Sequence, residues 1–276
     1  MSFTVRSVTE ADLERIMNWR MDPEITKYMN TNPKLTLEGQ RQWFARIQEN
    51  PDVRYWIIEV DSQPAGVINL TGLLREDGVL GWAYYVGEKK LRSMKLALSL
   101  EMSLYDYIFD VLGKKALIGD IFTLNKGVIQ LHLLCGSYIV EEKKKHVCKE
   151  DVWYDVTFME MSAERWDEIR DTKKYEKISF DNTGINTRVI REIRELAGKF
   201  HVDKVLLFGS RARGDHKPKS DIDLAFSGGD GARFTLAVDE ETSTLLMFDV
   251  VNLDGSVQPQ LLESIQKEGR VLYEKI

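Results

Sequence analysis

The sequence predicts two α/β (α+β) domains in series, and three observations lead there. The chain has 276 residues, more than one small domain needs and enough for two. From the amino terminus to about residue 161, period-two apolar stretches alternate with stretches whose apolar residues recur every three or four positions. After a charged stretch, SAERWDEIRDTKKYEK, the alternation restarts in a different order, so the second half does not duplicate the first. The expected layout is a domain over 1–161, a charged, solvated linker helix over 162–178, and a smaller domain over 179–276.

In the first half, FTVRSV reads as a strand and Thr9 opens an amphipathic helix, EADLERIMNWR, that cannot easily pass Pro23. Thr36 caps a second helix carrying Trp43, Phe44 and Ile47 at helical spacing. Strands over 55–60 and 65–70 flank a turn at Asp61-Ser62-Gln63-Pro64. A strand over 79–86 leads into a long helix over 92–112. A strand (116–121), a helix (126–135) and two further strands follow. The second half reads helix (187–200), strand (204–208), glycine-bearing turn, strand (222–226), helix, strand (246–253) and helix (258–268).

Composition excludes several classes of function. With 43% hydrophobic and 30% charged residues the chain is globular, and its net charge of -6 is shared by both halves. No excess of positive charge exists to hold a polyanion by counterion release, so nucleic acid is not an expected partner. No stretch approaches the roughly 20 apolar residues that span a bilayer, and a membrane is not expected either. The amino terminus lacks the basic and apolar stretches of a signal peptide. Cys135 and Cys148 have no metal-binding or disulfide-scaffold spacing, which fits reduced thiols in the cytoplasm.

The sharpest motif lies in the second half. The buried-strand run Leu206-Leu207-Phe208 stops at Gly209-Ser210-Arg211-Ala212-Arg213-Gly214; ten residues separate Ser210 from Asp221, and Asp223 follows two further on. On a strand, residues two apart share a face, so these carboxylates lie side by side while Ile222, Leu224 and Phe226 face a helix. Adjacent like charges repel and call for a counter-charge; Mg²⁺ supplies one through hard oxygen ligands. Asp249, inside the apolar run 245–251, is expected on a neighbouring strand, where burial without a partner would be costly.

Gly-Ser, ten residues, then Asp-x-Asp resembles the minimal nucleotidyltransferases of the polymerase-beta-like superfamily, over about residues 185–276. The resemblance implies a small α/β domain in which Gly209 and Ser210 hold the triphosphate of an NTP, by resemblance ATP. Asp221, Asp223 and Asp249 would be metal ligands, and Asp249 would also activate the acceptor hydroxyl. Arg211 and Arg213 are either phosphate partners or solvated turn residues. The implied chemistry is in-line attack on the α-phosphorus.

In the first half, Leu91-Arg92-Ser93-Met94-Lys95-Leu96-Ala97 opens a helix after the strand ending at Val86, where backbone amides and the helix dipole attract anions. Asn125 then precedes a helix bearing His132 and ending at Gly136-Ser137-Tyr138. This order resembles the GNAT N-acetyltransferase superfamily over residues 3–161, with its mixed sheet and helices. Trp19-Arg20, Met29, the helix bearing Trp43 and Gly66-Val67-Ile68 are similar to a subgroup that acetylates the 4-amino group of nucleotide-linked amino sugars. The resemblance implies acetyl-CoA bound by Val86, Arg92, Ser93, Met94, Lys95, Leu96, Ala97 and Asn125. Lys95 and Ser93 depart from the glycines usual in that loop, and the Lys95 ammonium is a candidate to compensate. His132 matches the tyrosine that often protonates the leaving thiolate. It is either that acid or a packed or solvated helix histidine, and Asn125 is either a cofactor contact or a helix cap.

The sequence therefore points to a bifunctional transferase with small-molecule substrates, an amino-sugar nucleotide foremost. The alternative is a nucleotidyltransferase acting on a protein partner or a small alcohol, with the first half a catalytically silent binding module. An oligomer is compatible with either.

Overall fold

The computed structural model describes residues 1–275; residue 276, the last of the expected second domain, lies outside the described residues. The chain forms two compact units, residues 1–109 with 114–180, and residues 110–113 with 181–276.

The first unit runs β1 (Phe3–Ser7), α1 (Leu13–Met21), α2 (Pro23–Thr26), α3 (Leu37–Glu49), β2 (Val53–Val60), β3 (Gln63–Thr71), β4 (Val79–Val86), α4 (Met94–Asp106), β5 (Ala116–Phe122), α5 (Lys126–Cys135), β6 (Tyr138–Lys149), β7 (Val152–Ser162) and α6 (Ala163–Ile169). Its seven strands make one mixed sheet in the order β1-β2-β3-β4-β5-β7-β6, antiparallel except where β4 meets β5. Trp56, Ile58, Ile68, Leu70 and Leu80 are buried in its strands, and Leu96, Leu100 and Leu104 are buried in α4. On α3, the Thr36 hydroxyl accepts from the Gly39 amide at 3.1 Å, as the capping pattern requires.

Local departures from the sequence reading have physical causes. The β2–β3 turn needs only Asp61 and Ser62, both at positive φ in the manner of a two-residue hairpin. Gln63 and Pro64 belong to β3, with Pro64 beside a register shift that tolerates its missing donor. The long helix starts two residues late, at Met94, because the Ser93 hydroxyl caps it by accepting from the Leu96 amide at 3.1 Å. It then widens into a π turn over Tyr107–Val111.

The stretch 162–178 is not a solvated helix. Only Ala163–Ile169 is α-helical, followed by a short 3₁₀ turn. Trp166 is fully buried against Tyr105, with ring centroids 5.2 Å apart. Its indole donates to Asp106 Oδ1 at 3.0 Å, and Arg170 and Tyr175 reach the same buried carboxylate at 2.6 Å each. The charges conceal an anchor: one acid on α4 gathers donors from the whole segment.

The second unit contains α7 (Thr187–Lys199), β8 (Lys204–Phe208), α8 (Gly209–Arg213), β9 (Ile222–Ser227), α9 (Gly231–Glu241), β10 (Phe248–Asn252), α10 (Pro259–Glu268) and β11 (Arg270–Glu274). Its sheet has the order β10-β9-β8-β11, with β10 and β9 parallel and the other pairs antiparallel. Ile222, Leu224 and Phe226 of β9 face the α7 and α9 side, in one core with Ile190, Ile193 and Phe234. Among the described residues no helix is long and apolar enough to cross a membrane.

Candidate active sites

In the first unit, β4 and β5 pair only from Val79 to Gly81, opposite Ala116 to Ile118. Beyond that point the two strands part. The residues past the split, Trp82–Val86 on one side and Gly119–Ile121 on the other, line a cavity of about 880 Å³. Of the residues expected to hold acetyl-CoA, Val86, Arg92, Ser93, Ala97 and Asn125 line this cavity, and so does His132. Arg92 Nε donates to the Val86 carbonyl at 2.9 Å, tying the strand end to the start of α4.

Met94, Lys95 and Leu96 do not line the cavity. Met94 is exposed and Leu96 is in the core. Lys95 turns to Glu176 Oε2 at 2.7 Å and lies 5.4 Å from the Phe3 ring centroid, so its ammonium is already committed to the protein surface. The Asn125 side chain makes no capping bond to α5.

His132 is buried, and its Nδ1 lies 2.8 Å from Glu101 Oε2. Glu101 is fully buried on α4 and also accepts from the Tyr105 hydroxyl, which in turn meets Ser137 Oγ at 2.9 Å. The Trp82 ring sits 5.2 Å from the imidazole. Burial, followed by the charge of Glu101, pushes Tyr84, Tyr105 and the Cys135 thiol well above their ordinary ranges. Sequence reading missed Glu101. The signal was there: a lone acid in the otherwise apolar helical run LALSLEMSLY.

In the second unit, the chain leaves β8 at Gly209 with φ +69°. A β-carbon there would lie 2.1 Å from Asp223 Oδ2, so only glycine lets the backbone run against that carboxylate. Asp249 is the direct register partner of Asp223 across β9 and β10, and Asp221 immediately precedes β9. Burial raises the Asp223 pKa first, and the charges of Asp249 and Asp221 raise it further. The three acids are therefore electrostatic neighbours. Among the described residues no three acidic, His or Cys side chains are drawn into a closed metal cage. Like charges spread apart, and Mg²⁺ needs only one or two carboxylates with water and phosphate oxygens, so this donor set suits it.

Two expectations for this unit are corrected. Asp249 does not lie in a buried apolar strand: it is exposed, β10 is an edge strand, and Leu245 and Met247 point to solvent. Its link to the other acids comes from register, not burial. Arg211 is neither a solvated residue nor a free phosphate partner. Its buried guanidinium donates to the carbonyls of Ser220 (2.7 Å), Asp221 (3.1 Å) and Thr183 (3.0 Å), stapling the loop that delivers Asp221. Arg213 is exposed, and its Nη1 reaches Glu268 Oε2 at 2.8 Å while the Gly209 amide reaches Oε1 at 3.2 Å. These two donors thus converge on one anionic group. The Ser210 backbone sits beside them at the start of α8.

The carboxy-terminal unit is a nucleotidyltransferase and the amino-terminal unit a GNAT acetyltransferase, so the chain is a two-domain transferase. Residues 191–276 match the family described as Polymerase beta, Nucleotidyltransferase, and residues 2–137 match the Acetyltransferase (GNAT) domain. Through its carboxy-terminal unit the chain belongs to the polymerase beta nucleotidyltransferase family. A relative from Methanocaldococcus jannaschii that carries the name of a protein adenylyltransferase is 33% identical over 99 residues, 31% of this chain and 96% of the relative. The first unit shares its fold with spermidine N-acetyltransferase from Vibrio cholerae, solved with CoA and spermine. That likeness has a TM-score of 0.56 at 16% identity and covers 59% of this chain and 97% of the other. An N-acetyltransferase from Staphylococcus aureus Mu50 is similar at TM-score 0.51 and 21% identity, over 59% of this chain and 99% of the other.

Proposed function

We propose that the chain is a bifunctional transferase, with acetyl-CoA-dependent N-acetylation assigned to residues 1–161 and Mg²⁺-dependent nucleotidyl transfer to residues 179–276. The observation that carries the first assignment is the convergence of the β4–β5 split, the start of α4 and His132 on one cavity. Val86, Arg92, Ser93, Ala97 and Asn125 are the residues assigned to acetyl-CoA, which supplies the activated acetyl group when bound. The acceptor amine lies against the aromatic faces of Trp82 and Tyr84, and His132 protonates the departing sulfur.

For the acceptor we favour a nucleotide-linked amino sugar. Stacked Trp82 and Tyr84 suit a sugar ring, and Arg20 on the same cavity suits a phosphate. A polyamine is the second reading, supported by Glu24 and Asp120 on the same lining and by the spermine complex of the Vibrio structure.

In the second unit, Asp221, Asp223 and Asp249 would hold Mg²⁺, which would screen charge on the phosphates. Gly209, Ser210 and Arg213 bind the triphosphate of an NTP, taken as ATP, and Asp249 accepts the proton of the attacking hydroxyl. That hydroxyl belongs to a small molecule or, following the name of the Methanocaldococcus relative, to a protein side chain. Full-length chain incubated with labelled acetyl-CoA and an amine panel, and separately with labelled ATP and Mg²⁺, tests both assignments. Acetyl transfer lost in His132→Ala and nucleotidyl transfer lost in Asp221→Asn, each without loss of the other, is the expected pattern. Loss of both activities in either variant would overturn the division of labour.

A further inference from the structure

We propose that Glu101 is the positioning residue that makes His132 a two-way proton carrier in the acetyl-transfer cavity. The transfer step rests on the acetyltransferase reading above, whereas the Glu101–His132 contact stands on the geometry of the resting protein.

Glu101 has no exposed surface and sits one helical turn before Tyr105 on α4, so both side chains project to the same side. Its Oε1 receives the Tyr105 hydroxyl and its Oε2 faces His132 Nδ1 at 2.8 Å. With Glu101 as a carboxylate, which only accepts, Nδ1 carries the hydrogen and the neutral ring leaves Nε2 bare. Among the described residues the imidazole's one side-chain hydrogen bond is that of Nδ1, and His132 lines the cavity.

The groups around the pair do not compete for its proton. Tyr84 of β4, Tyr105 of α4 and Cys135 of α5 are all held protonated by burial and by the negative charge of Glu101. Trp82 covers the ring, and Asp120 of β5 lines the same cavity. A buried acid with the Tyr105 hydroxyl and the Cys135 thiol bonded to it and one imidazole against it stabilises a positive ring and fixes its tautomer, the division of labour seen in acid–histidine pairs of hydrolases.

The step balances without another reactant. The acceptor amine nitrogen attacks the acetyl carbonyl carbon, an N–C bond forms and the C–S bond breaks, its electron pair leaving on sulfur. His132 Nε2 takes the proton shed by the nitrogen and returns it to that sulfur, giving amide and free thiol. Between the two transfers the ring is an imidazolium, and Glu101 bears its counter-charge.

The test uses the full chain. Nitrogen-15 histidine spectra of the wild type should show His132 as the Nδ1–H tautomer; an Nε2–H tautomer overturns the proposal before any substitution is made. Glu101→Gln should mix the tautomers. It should also lower kcat for thiol release from acetyl-CoA about 100-fold, with spermidine and a nucleotide-linked 4-amino sugar as probe acceptors, at a KM for acetyl-CoA within about twofold. The acid limb of its pH–rate profile should move to lower pH, because the positive ring has lost its partner. In a His132→Phe background the same change should cost nothing further. A purely structural role for Glu101 predicts an added loss there and an unmoved pH profile, and either result overturns the proposal. Failure of the acetyltransferase reading looks different: the tautomer is as expected but acetyl-CoA neither binds nor releases thiol.

Discussion

Glu101 in the first unit and Asp223 in the second are carboxylates withdrawn from water in opposite circumstances. Glu101 is surrounded by donors its own fold supplies, and the protein satisfies its charge internally. Asp223 accepts no hydrogen bond from the described residues, and the charges of Asp249 and Asp221 act on it more strongly than the opposing Arg213 and Arg211. An acid completed by the fold is suited to steering a proton, and an acid left incomplete is suited to meeting a cation brought by a substrate. The raised pKa of Asp223 costs folding stability at neutral pH, and a bound cation would return it.

The largest expected effect tests that contrast directly. Asp223→Asn should lower Mg²⁺-dependent release of pyrophosphate by about 1,000-fold or more, the scale of losing one electrostatic partner of a transition state. The same variant should melt at a higher temperature than wild type at neutral pH in the absence of Mg²⁺. The sign follows from linkage: the folded-state pKa of Asp223 lies above its unfolded value, so folding favours the protonated form. The acid then costs stability that grows as pH rises from the ordinary carboxylate range through the raised value. Removing the charge removes the cost, and the gap between variant and wild type should shrink as pH falls below 4. A variant that loses activity and melts lower would contradict the contrast.

Asp106 offers the opposite case, a completed carboxylate with no place in either reaction. It holds Trp166, Arg170 and Tyr175, so Asp106→Ala strands buried donors and should cost about 3–5 kcal/mol. Chemical denaturation of the full chain reads that loss. A shift below about 1 kcal/mol would mean that the anchor is ornamental. Gly209→Ala comes next, combining a positive φ with a β-carbon forced on Asp223 Oδ2, for about 1–3 kcal/mol of strain. Its KM for ATP should rise more than its kcat falls if the bend holds phosphate as proposed.

Backbone-level features were legible in the sequence because they are written in local pattern. The strand stop at Gly209, the spacing to Asp221 and Asp223, and the helix over 126–135 all follow from nearest-neighbour geometry. What the sequence hid was the company each side chain keeps. Arg211 looks like a turn residue until the 218–221 loop folds over it, and Lys95 looks like a phosphate donor until Glu176 arrives from far along the chain. Leu245 and Met247 read as buried strand, but they precede β10 and stand in water, while Leu246 between them packs on the core. Glu101 needed His132 and Tyr105 to become conspicuous, one partner four residues away and the other on a different helix.

The smallest effect concerns Lys95, where the two proposed phosphate sites differ. In the second unit Gly209 leaves β8 without a β-carbon; in the first, Lys95 carries one in the first turn of α4. Lys95→Gly should tighten acetyl-CoA binding about fivefold, close to 1 kcal/mol, by letting backbone and pyrophosphate approach. The exposed Lys95–Glu176 pair gives up little in exchange, and glycine in the first turn of α4 costs no more than about 1 kcal/mol of helix stability. Calorimetric titration with acetyl-CoA measures the change. Unchanged or weaker binding would show that the side chain never obstructed the site, and the Met94 and Lys95 amides would then already be open to a phosphate at the start of α4.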